Sequence, residues 1–168
     1  LGKDDTFTPG KKYNEAISVK NSGTIDTFVR VIITKSWQDK EGKKNTTLSP
    51  DLIELNFLTD NGWQIANAQS TKERTVLYYT KAVAAGDTTP ALSDTLRINP
   101  SIASDVTKHV TESEKGKSIT YTYKYNGYTF HIDAEVDAVQ THNAKDAIKS
   151  AWGVDINVSD DETTMSLQ

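Results

Sequence analysis

Three polar residues at alternate positions, His131, Asp133 and Glu135, are the best candidates for chemistry in this sequence. Alternate side chains of a β-strand project from the same face, so one imidazole and two carboxylates would lie side by side. With His142 close by in sequence, they could provide nitrogen and oxygen ligands for a divalent metal ion. The same spacing is typical of the solvated face of an amphipathic strand. We adopt this second interpretation, which predicts no metal and no other cofactor, and keep the four residues as candidate metal ligands.

Motifs for known catalytic machinery are missing from the sequence. There is no His-Glu-x-x-His helix, which would place two imidazoles and a base on one face, and no phosphate-binding or dinucleotide-binding loop. There is no Gly-x-Ser-x-Gly elbow for a serine nucleophile. The chain has no cysteine, which excludes thiol nucleophiles, cysteine-zinc sites and CxxC redox chemistry. We therefore expect a protein that is not an enzyme.

Large aromatic side chains offer a second kind of site. Trp37, Trp63, Trp152 and the pair Tyr78 and Tyr79 could stack on sugar rings if they were exposed together, although such rings more often pack in a core. Neighbouring residues of a strand point to opposite faces, so at least one of the two tyrosines is expected at the surface. Both tyrosines are therefore candidate interaction residues, and a glycan is a candidate ligand.

The overall composition excludes some partners and favours one globular domain. The 168 residues contain 19 Lys and Arg against 23 Asp and Glu, a net charge of −4, which disfavours nucleic-acid binding. No apolar run approaches the roughly 20 residues of a membrane-spanning helix, so the chain is not expected to span a membrane. The aromatic content is too high for a disordered chain.

A hairpin is the clearest local feature. Asn126-Gly127 separates two alternating runs, which indicates a two-residue turn. Counting outward gives the register: 125 with 128, 123 with 130, 121 with 132, 119 with 134 and, on the other face, 124 with 129, 122 with 131, 120 with 133 and 118 with 135. One face carries Tyr121, Tyr123, Tyr125, Phe130 and Ile132, and we expect it to pack on a second sheet. The other face is polar and largely acidic, as in an antiparallel sandwich.

Further elements complete the prediction of an all-β, antiparallel, jelly-roll-like β-sandwich with one helix. Residues 28–37 are rich in β-branched side chains and predict a central strand buried on both faces for part of its length. Asn143 as N-cap, an apolar stripe and Gly153 predict a helix over about 144–152. Ser49-Pro50 predicts one helical turn, and 100–110 is ambiguous, with a short helix as one option. The predicted organisation is an N-terminal arm (1–8), the sandwich (9–158) and a frayed polar tail (159–168).

Three stretches carry a family resemblance. They are Phe7-Thr8-Pro9-Gly10-Lys11 with 17–23 and 28–31, then Gly86-Asp87-Thr88-Thr89 with Leu92, and finally 132–140 running into the helix that ends at Gly153. Together they resemble the TasA/camelysin family of Gram-positive exported proteins, which are processed by a dedicated signal peptidase and contribute to biofilm matrix. The resemblance implies a jelly-roll-like sandwich that is extracellular or on the cell surface. The start at Leu1 fits a removed signal peptide or a chosen boundary.

The resemblance also implies partners. Some members form fibres in which the N-terminal arm of one subunit completes a sheet of the next, so partners would be the protein itself or other matrix proteins. Here the arm would be residues 1–8, with Leu1 and Phe7 as its large apolar residues, although Gly2-Lys3-Asp4-Asp5 has little β-propensity.

We therefore expect a non-enzymatic structural protein, such as a matrix or fibre subunit. The alternatives are a carbohydrate-binding or adhesion domain and, because camelysin-like proteins have been described as metalloproteases, a metal-dependent protease. A Lys–Asn isopeptide crosslink, known in some Gram-positive surface domains, also stays open.

Overall fold

The computed structural model describes residues 6–102, 106–110, 118–125 and 128–168, with side chains for 8–102 and 128–168. In chain order the described strands are β1 (Thr6–Phe7), β2 (Tyr13–Ile17), β3 (Thr27–Gln38), β4 (Lys44–Asn45), β5 (Ile53–Phe57), β6 (Trp63–Ile65), β7 (Arg74–Tyr79), β8 (Ser93–Ile98), β9 (Val106–Val110), β10 (Ser118–Tyr125), β11 (Tyr128–Gln140), β12 (Ile156–Val158) and β13 (Met165–Leu167). The α-helix α1 covers Ala144–Trp152.

Two sheets and a ribbon organise these strands. Sheet A has eight strands in the order β1-β9-β10-β11-β3-β7-β6, with β4 also pairing with β3; sheet B has the order β2-β8-β5, and β12 pairs with β13. Every described strand pairing is antiparallel. The predicted all-β antiparallel sandwich with one helix is confirmed. The chain crosses repeatedly between the two sheets, a connection pattern common in jelly rolls.

Strand β3 is the centre of the fold. It pairs with β11 along its whole length and with β7 on its other side. Val29, Val31 and Ile33 face the inner core between the two sheets, whereas Phe28 and Ile32 belong to a second core on the outer face of sheet A. The prediction of a strand buried on both faces is confirmed.

The hairpin of β10 and β11 has the register that the sequence predicts. All eight pairs agree, from Tyr125 opposite Tyr128 to Ser118 opposite Glu135. Phe130 and Ile132 are 0% and 1% exposed and pack in the inner core. The turn residues Asn126 and Gly127, and the side chains of the three tyrosines on β10, lie outside the described residues.

The C-terminal elements cover part of the outer face of sheet A. Helix α1 and the β12–β13 ribbon contribute Ala144, Ile148, Ile156 and Met165 to the second core. The predicted frayed tail over 159–168 is therefore wrong, because β13 forms a ribbon and Met165 is buried. Two apolar residues are enough to anchor this polar stretch on the second core, since Met165 and Leu167 lie on the same side of a short strand.

The short helical elements differ in part from the prediction. Pro50–Leu52 forms the predicted turn, and the Ser49 hydroxyl accepts a hydrogen bond from the Asp51 N–H. A second turn lies at Asn67–Gln69. The ambiguous stretch 100–110 contains strand β9 instead of a helix in its described residues.

The two ends of α1 also differ in how well the sequence predicted them. Gly153 adopts the left-handed conformation at φ 70°, and its N–H donates to the Lys149 carbonyl, as predicted for a C-terminal cap. Asn143 does not act as the predicted side-chain N-cap. Its backbone is left-handed, at φ 54° and ψ 33°, and its side chain makes no capping bond, because that bond needs an extended backbone.

Candidate functional site

The polar face of β11 holds the three residues with most chemical potential. His131 and Asp133 are half-buried and Glu135 is exposed, while the alternating residues Phe130 and Ile132 are buried on the opposite face. His131 lies opposite Ser36 of β3. The three candidate ligands therefore share the outer face of sheet A.

The electrostatic setting of His131 favours a neutral imidazole. Burial lowers the pKa of His131 below 6.5, and the nearby Asp133 carboxylate only partly offsets that effect. A neutral imidazole is the form that binds metal ions, so this shift alone does not separate a ligand from a packed histidine.

His142 is not part of this group. It lies on the connection between β11 and α1, with its Nδ1 3.3 Å from Glu162 Oε1. The strand that separates it from His131 runs for about 30 Å at about 3.3 Å per residue. The structure does not bring the candidate ligand His142 to the other three candidates. Within the described residues, no group of three or more His, Asp, Glu or Cys side chains is placed to hold a metal ion.

Both members of the tyrosine pair are buried. Tyr78 is 0% and Tyr79 8% exposed, so the expectation that at least one lies at the surface is wrong. Tyr79 packs against Trp63 in the inner core with ring centroids 5.1 Å apart, and Tyr78 packs against Trp152 at 5.7 Å. The reason is that sheet A is covered on both faces at β7, so the two opposite directions both lead into a core.

The tryptophans likewise serve packing. Trp37 and Trp63 are 0% and 1% exposed, and their indole N–H groups donate to the carbonyls of Ser49 and Pro90. Trp152 is half-buried beneath the Arg30 guanidinium, which lies 5.0 Å from its ring. These rings therefore do not form the exposed stacking surface that the sequence allowed for a glycan.

Two of the stretches that carry the family resemblance are in direct contact. The Thr89 N–H donates to the Val19 carbonyl at 2.8 Å, and the Asn21 N–H donates to the Asp87 carbonyl at 2.8 Å. The Gly86 N–H donates back to the Asn21 carbonyl. We name this contact between 17–23 and 86–92 the motif seam. Its polar residues act in folding, and the sequence alone does not show that they meet.

Asn21 is the most connected side chain of the motif seam. Its Nδ2 donates to the carbonyls of Ile25 and Val83, at 2.8 and 2.9 Å, and its Oδ1 accepts from the Gly23 N–H. It is 8% exposed. A buried amide with both ends bonded fixes the two loops that meet there and needs no ligand.

Sequence reasoning missed a buried lysine. Lys35 is 8% exposed, and its Nζ donates at 2.7 Å to the carbonyl of Ile53 in sheet B. Burial lowers the pKa of Lys35, although Asp51 and Glu54 act in the opposite direction. The signal was available, because Lys35 stands between the inward residues Ile33 and Trp37 at alternate positions of β3.

The two ends of sheet A differ. At one end β1 pairs with β9 through Thr6 opposite Thr107 and Phe7 opposite Val106, so this part of the predicted arm is an edge strand of its own chain. Leu1 lies outside the described residues. At the other end is β6, whose Trp63 is 1% exposed. Both ends of sheet A are therefore edges in the described strand order.

No protein-family model, no curated protein and no solved structure matches the chain. In the part of the chain that the structure describes, no helix is long and apolar enough to cross a membrane.

Proposed function

We propose that this protein is a non-enzymatic structural subunit, secreted or displayed at the cell surface, whose copies associate through the edge of sheet A formed by β1 and β9. The observation that carries the proposal is the position of Thr6–Phe7 as a short edge strand on β9. The resemblance of the sequence to the TasA/camelysin family of matrix proteins supports the same function.

A short edge strand is easily replaced by an equivalent strand. In the described residues β1 pairs with β9 at two positions, and this described pairing supplies few backbone hydrogen bonds. The same two residues of a second copy match the same partners, and an edge strand offers backbone N–H and C=O groups to any extended segment. Exchange between copies then costs little and links one subunit to the next.

The settings of the other candidate residues also favour a structural role. The aromatic rings that could stack on a sugar are packed in the cores, and Asn21 is fully hydrogen-bonded within the motif seam. Lys35 joins the two sheets rather than facing a pocket. These residues stabilise one rigid body, which is what a matrix or fibre subunit needs.

The test is sedimentation velocity over a range of protein concentrations. The chain should form oligomers that grow with concentration, and deletion of residues 1–8 should shift the distribution towards monomer. Phe7→Pro removes a backbone N–H and fixes φ, so it should act in the same direction. Phe7→Val keeps a good strand former and serves as the matched control.

A second arm of the test addresses catalysis. The purified chain should leave casein and small esters intact, with or without added zinc. Hydrolysis that depends on zinc and is lost in His131→Ala would overturn the structural assignment in favour of a metal-dependent protease. Oligomers that are unchanged by both the deletion and Phe7→Pro would overturn the role of the arm.

A further inference from the structure

Residues 144–168, which contain α1, β12 and β13, form a unit that we name the C-terminal module. The module packs on the outer face of sheet A through the second core, where Ile148 and Ile156 are 0% exposed. Phe28 and Tyr78 are its main partners on the outer face of sheet A. The inner core lies on the opposite face of the same sheet, so the module can separate from sheet A without exposing the inner core.

The chain enters the module through a short connection, residues 141–143. Thr141 is half-buried, and His142 and Asn143 are exposed. Asn143 has the left-handed backbone described above, which is unfavourable for any residue with a side chain although least so for Asn. If residues 141–143 became extended, Asn143 would no longer adopt the left-handed conformation. The extended connection loses the turn hydrogen bond from the Ala144 N–H to the Thr141 carbonyl, at 3.3 Å, and the exposed His142–Glu162 pair, and exposed pairs of this kind contribute little.

Backbone hydrogen bonds also hold the module against residues 80–82, which follow β7. The Ala82 N–H donates to the Thr163 carbonyl at 2.7 Å, and the Met165 N–H donates to the Thr80 carbonyl at 2.8 Å. Between them, Lys81 lies directly opposite Thr164. A second copy of the chain offers the same hydrogen-bond acceptors and donors and the same apolar surface on sheet A.

We propose that the C-terminal module exchanges between two copies of this chain, each module seated on the sheet A of the other copy. The exchanged dimer keeps every module contact of the monomer except at residues 141–143, where the left-handed backbone of Asn143 becomes extended. This exchange goes beyond the proposed function, because it needs neither the N-terminal arm nor the β1–β9 edge.

The lack of cysteine makes a direct test possible. Lys81 and Thr164 form an antiparallel pair without mutual hydrogen bonds, a geometry with Cα atoms about 4.5 Å apart. That separation suits a disulfide. Lys81→Cys with Thr164→Cys therefore crosslinks the module to the sheet on which it sits. The matched control is Lys20→Cys with Thr88→Cys, a pair of the same geometry whose two members both lie outside the module.

The experiment refolds each double variant under reducing conditions at high and low protein concentration, oxidises it, and isolates dimer by size-exclusion chromatography. The arm is deleted (residues 1–8) in a parallel set to remove edge association. The dimer of Lys81→Cys/Thr164→Cys should stay a covalent dimer on non-reducing gels, whereas the dimer of the control pair should run as monomer. Absence of any dimer in the arm-deleted set, or a Lys81→Cys/Thr164→Cys dimer that runs as monomer, would overturn the exchange.

Two substitutions at Asn143 provide an independent measure. Asn143→Gly removes the cost of the left-handed backbone and should lower the dimer fraction, whereas Asn143→Ala raises that cost. The dimer fraction of the Ala variant should exceed that of the Gly variant at least about fivefold. Equal fractions would show that residues 141–143 are not the hinge and would overturn the proposal.

Discussion

Val19 and Thr89 are joined by two hydrogen bonds: the Thr89 N–H donates to the Val19 carbonyl at 2.8 Å, and the Val19 N–H donates to the Thr89 hydroxyl at 3.0 Å. Both residues are buried, at 6% and 5% exposure. The two residues belong to the motif seam. Their hydrogen bonds hold together two segments that, in the sequence, look like ordinary loops.

Thr89→Val tests this relationship. The substitution keeps the shape of the side chain but removes the hydroxyl acceptor, which leaves the buried Val19 N–H without a partner. We predict a loss of about 1–3 kcal/mol in the free energy of unfolding, measured by urea titration. Thr88→Val, at an exposed neighbouring position, is the control and should change stability by less than about 0.5 kcal/mol. Equal effects of the two substitutions would contradict the role of Thr89.

Lys35→Met tests the buried ammonium group. The pKa of Lys35 is lowered in the folded state, so between the folded and unfolded pKa values the unfolded chain binds more protons. The natural chain should therefore gain stability relative to the Met variant as the pH rises towards about 10.4, the unfolded value. At neutral pH the Met variant should lose at most about 1 kcal/mol, because removal of the buried charge offsets the lost hydrogen bond to Ile53.

The measurement for Lys35 is the stability difference between the two chains across this alkaline range. Lys81→Met, at an exposed lysine, is the control. If the difference in unfolding free energy between the natural chain and Lys35→Met stayed constant with pH, the ammonium group of Lys35 would be solvated.

His131 gives a second pH dependence, in which the natural chain again gains stability relative to a variant as the pH rises. Burial holds the pKa of His131 below 6.5, so the natural chain should lose stability relative to His131→Gln as the pH falls below about 6.5, where the unfolded chain binds the extra proton. The imidazole titration, followed by NMR, should have its midpoint below 6.5. A midpoint above that value would indicate an anionic partner strong enough to outweigh burial.

The Arg30–Asp137 pair is expected to support the C-terminal module. Arg30 Nη2 lies 2.6 Å from Asp137 Oδ2, the two side chains are 13% and 24% exposed, and Arg30 also stacks on Trp152 of α1. A double-mutant cycle with Arg30→Met and Asp137→Asn should give a coupling free energy of about 1 kcal/mol. The exposed pair Lys149–Asp155 is the control and should give a coupling close to zero. Equal couplings would contradict the supporting role of Arg30.

Local patterns predicted a large part of the fold. The register of β10 and β11 followed from Asn126-Gly127 and strict alternation, because a two-residue turn fixes the pairing of every residue outward from it. The run of β-branched residues in β3 indicated burial on both faces for the same local reason. Helix α1 also matched its predicted length, since its apolar stripe and Gly153 are close together in sequence.

The errors involved contacts between distant segments. Tyr78 is buried because α1, more than sixty residues later, covers the outer face of β7, and nothing near Tyr78 in sequence indicates that cover. Met165 is buried for the same reason. The motif seam is a pairing of segments about seventy residues apart, and the separation of His142 from His131 reflects the length of β11. Composition and spacing along the chain do not determine such distances.

Electron microscopy of the chain at high concentration tests the proposed function most directly. The structural-subunit account predicts elongated assemblies that shorten or vanish when residues 1–8 are deleted. Single particles of monomer size at every concentration, with the arm intact, would contradict it.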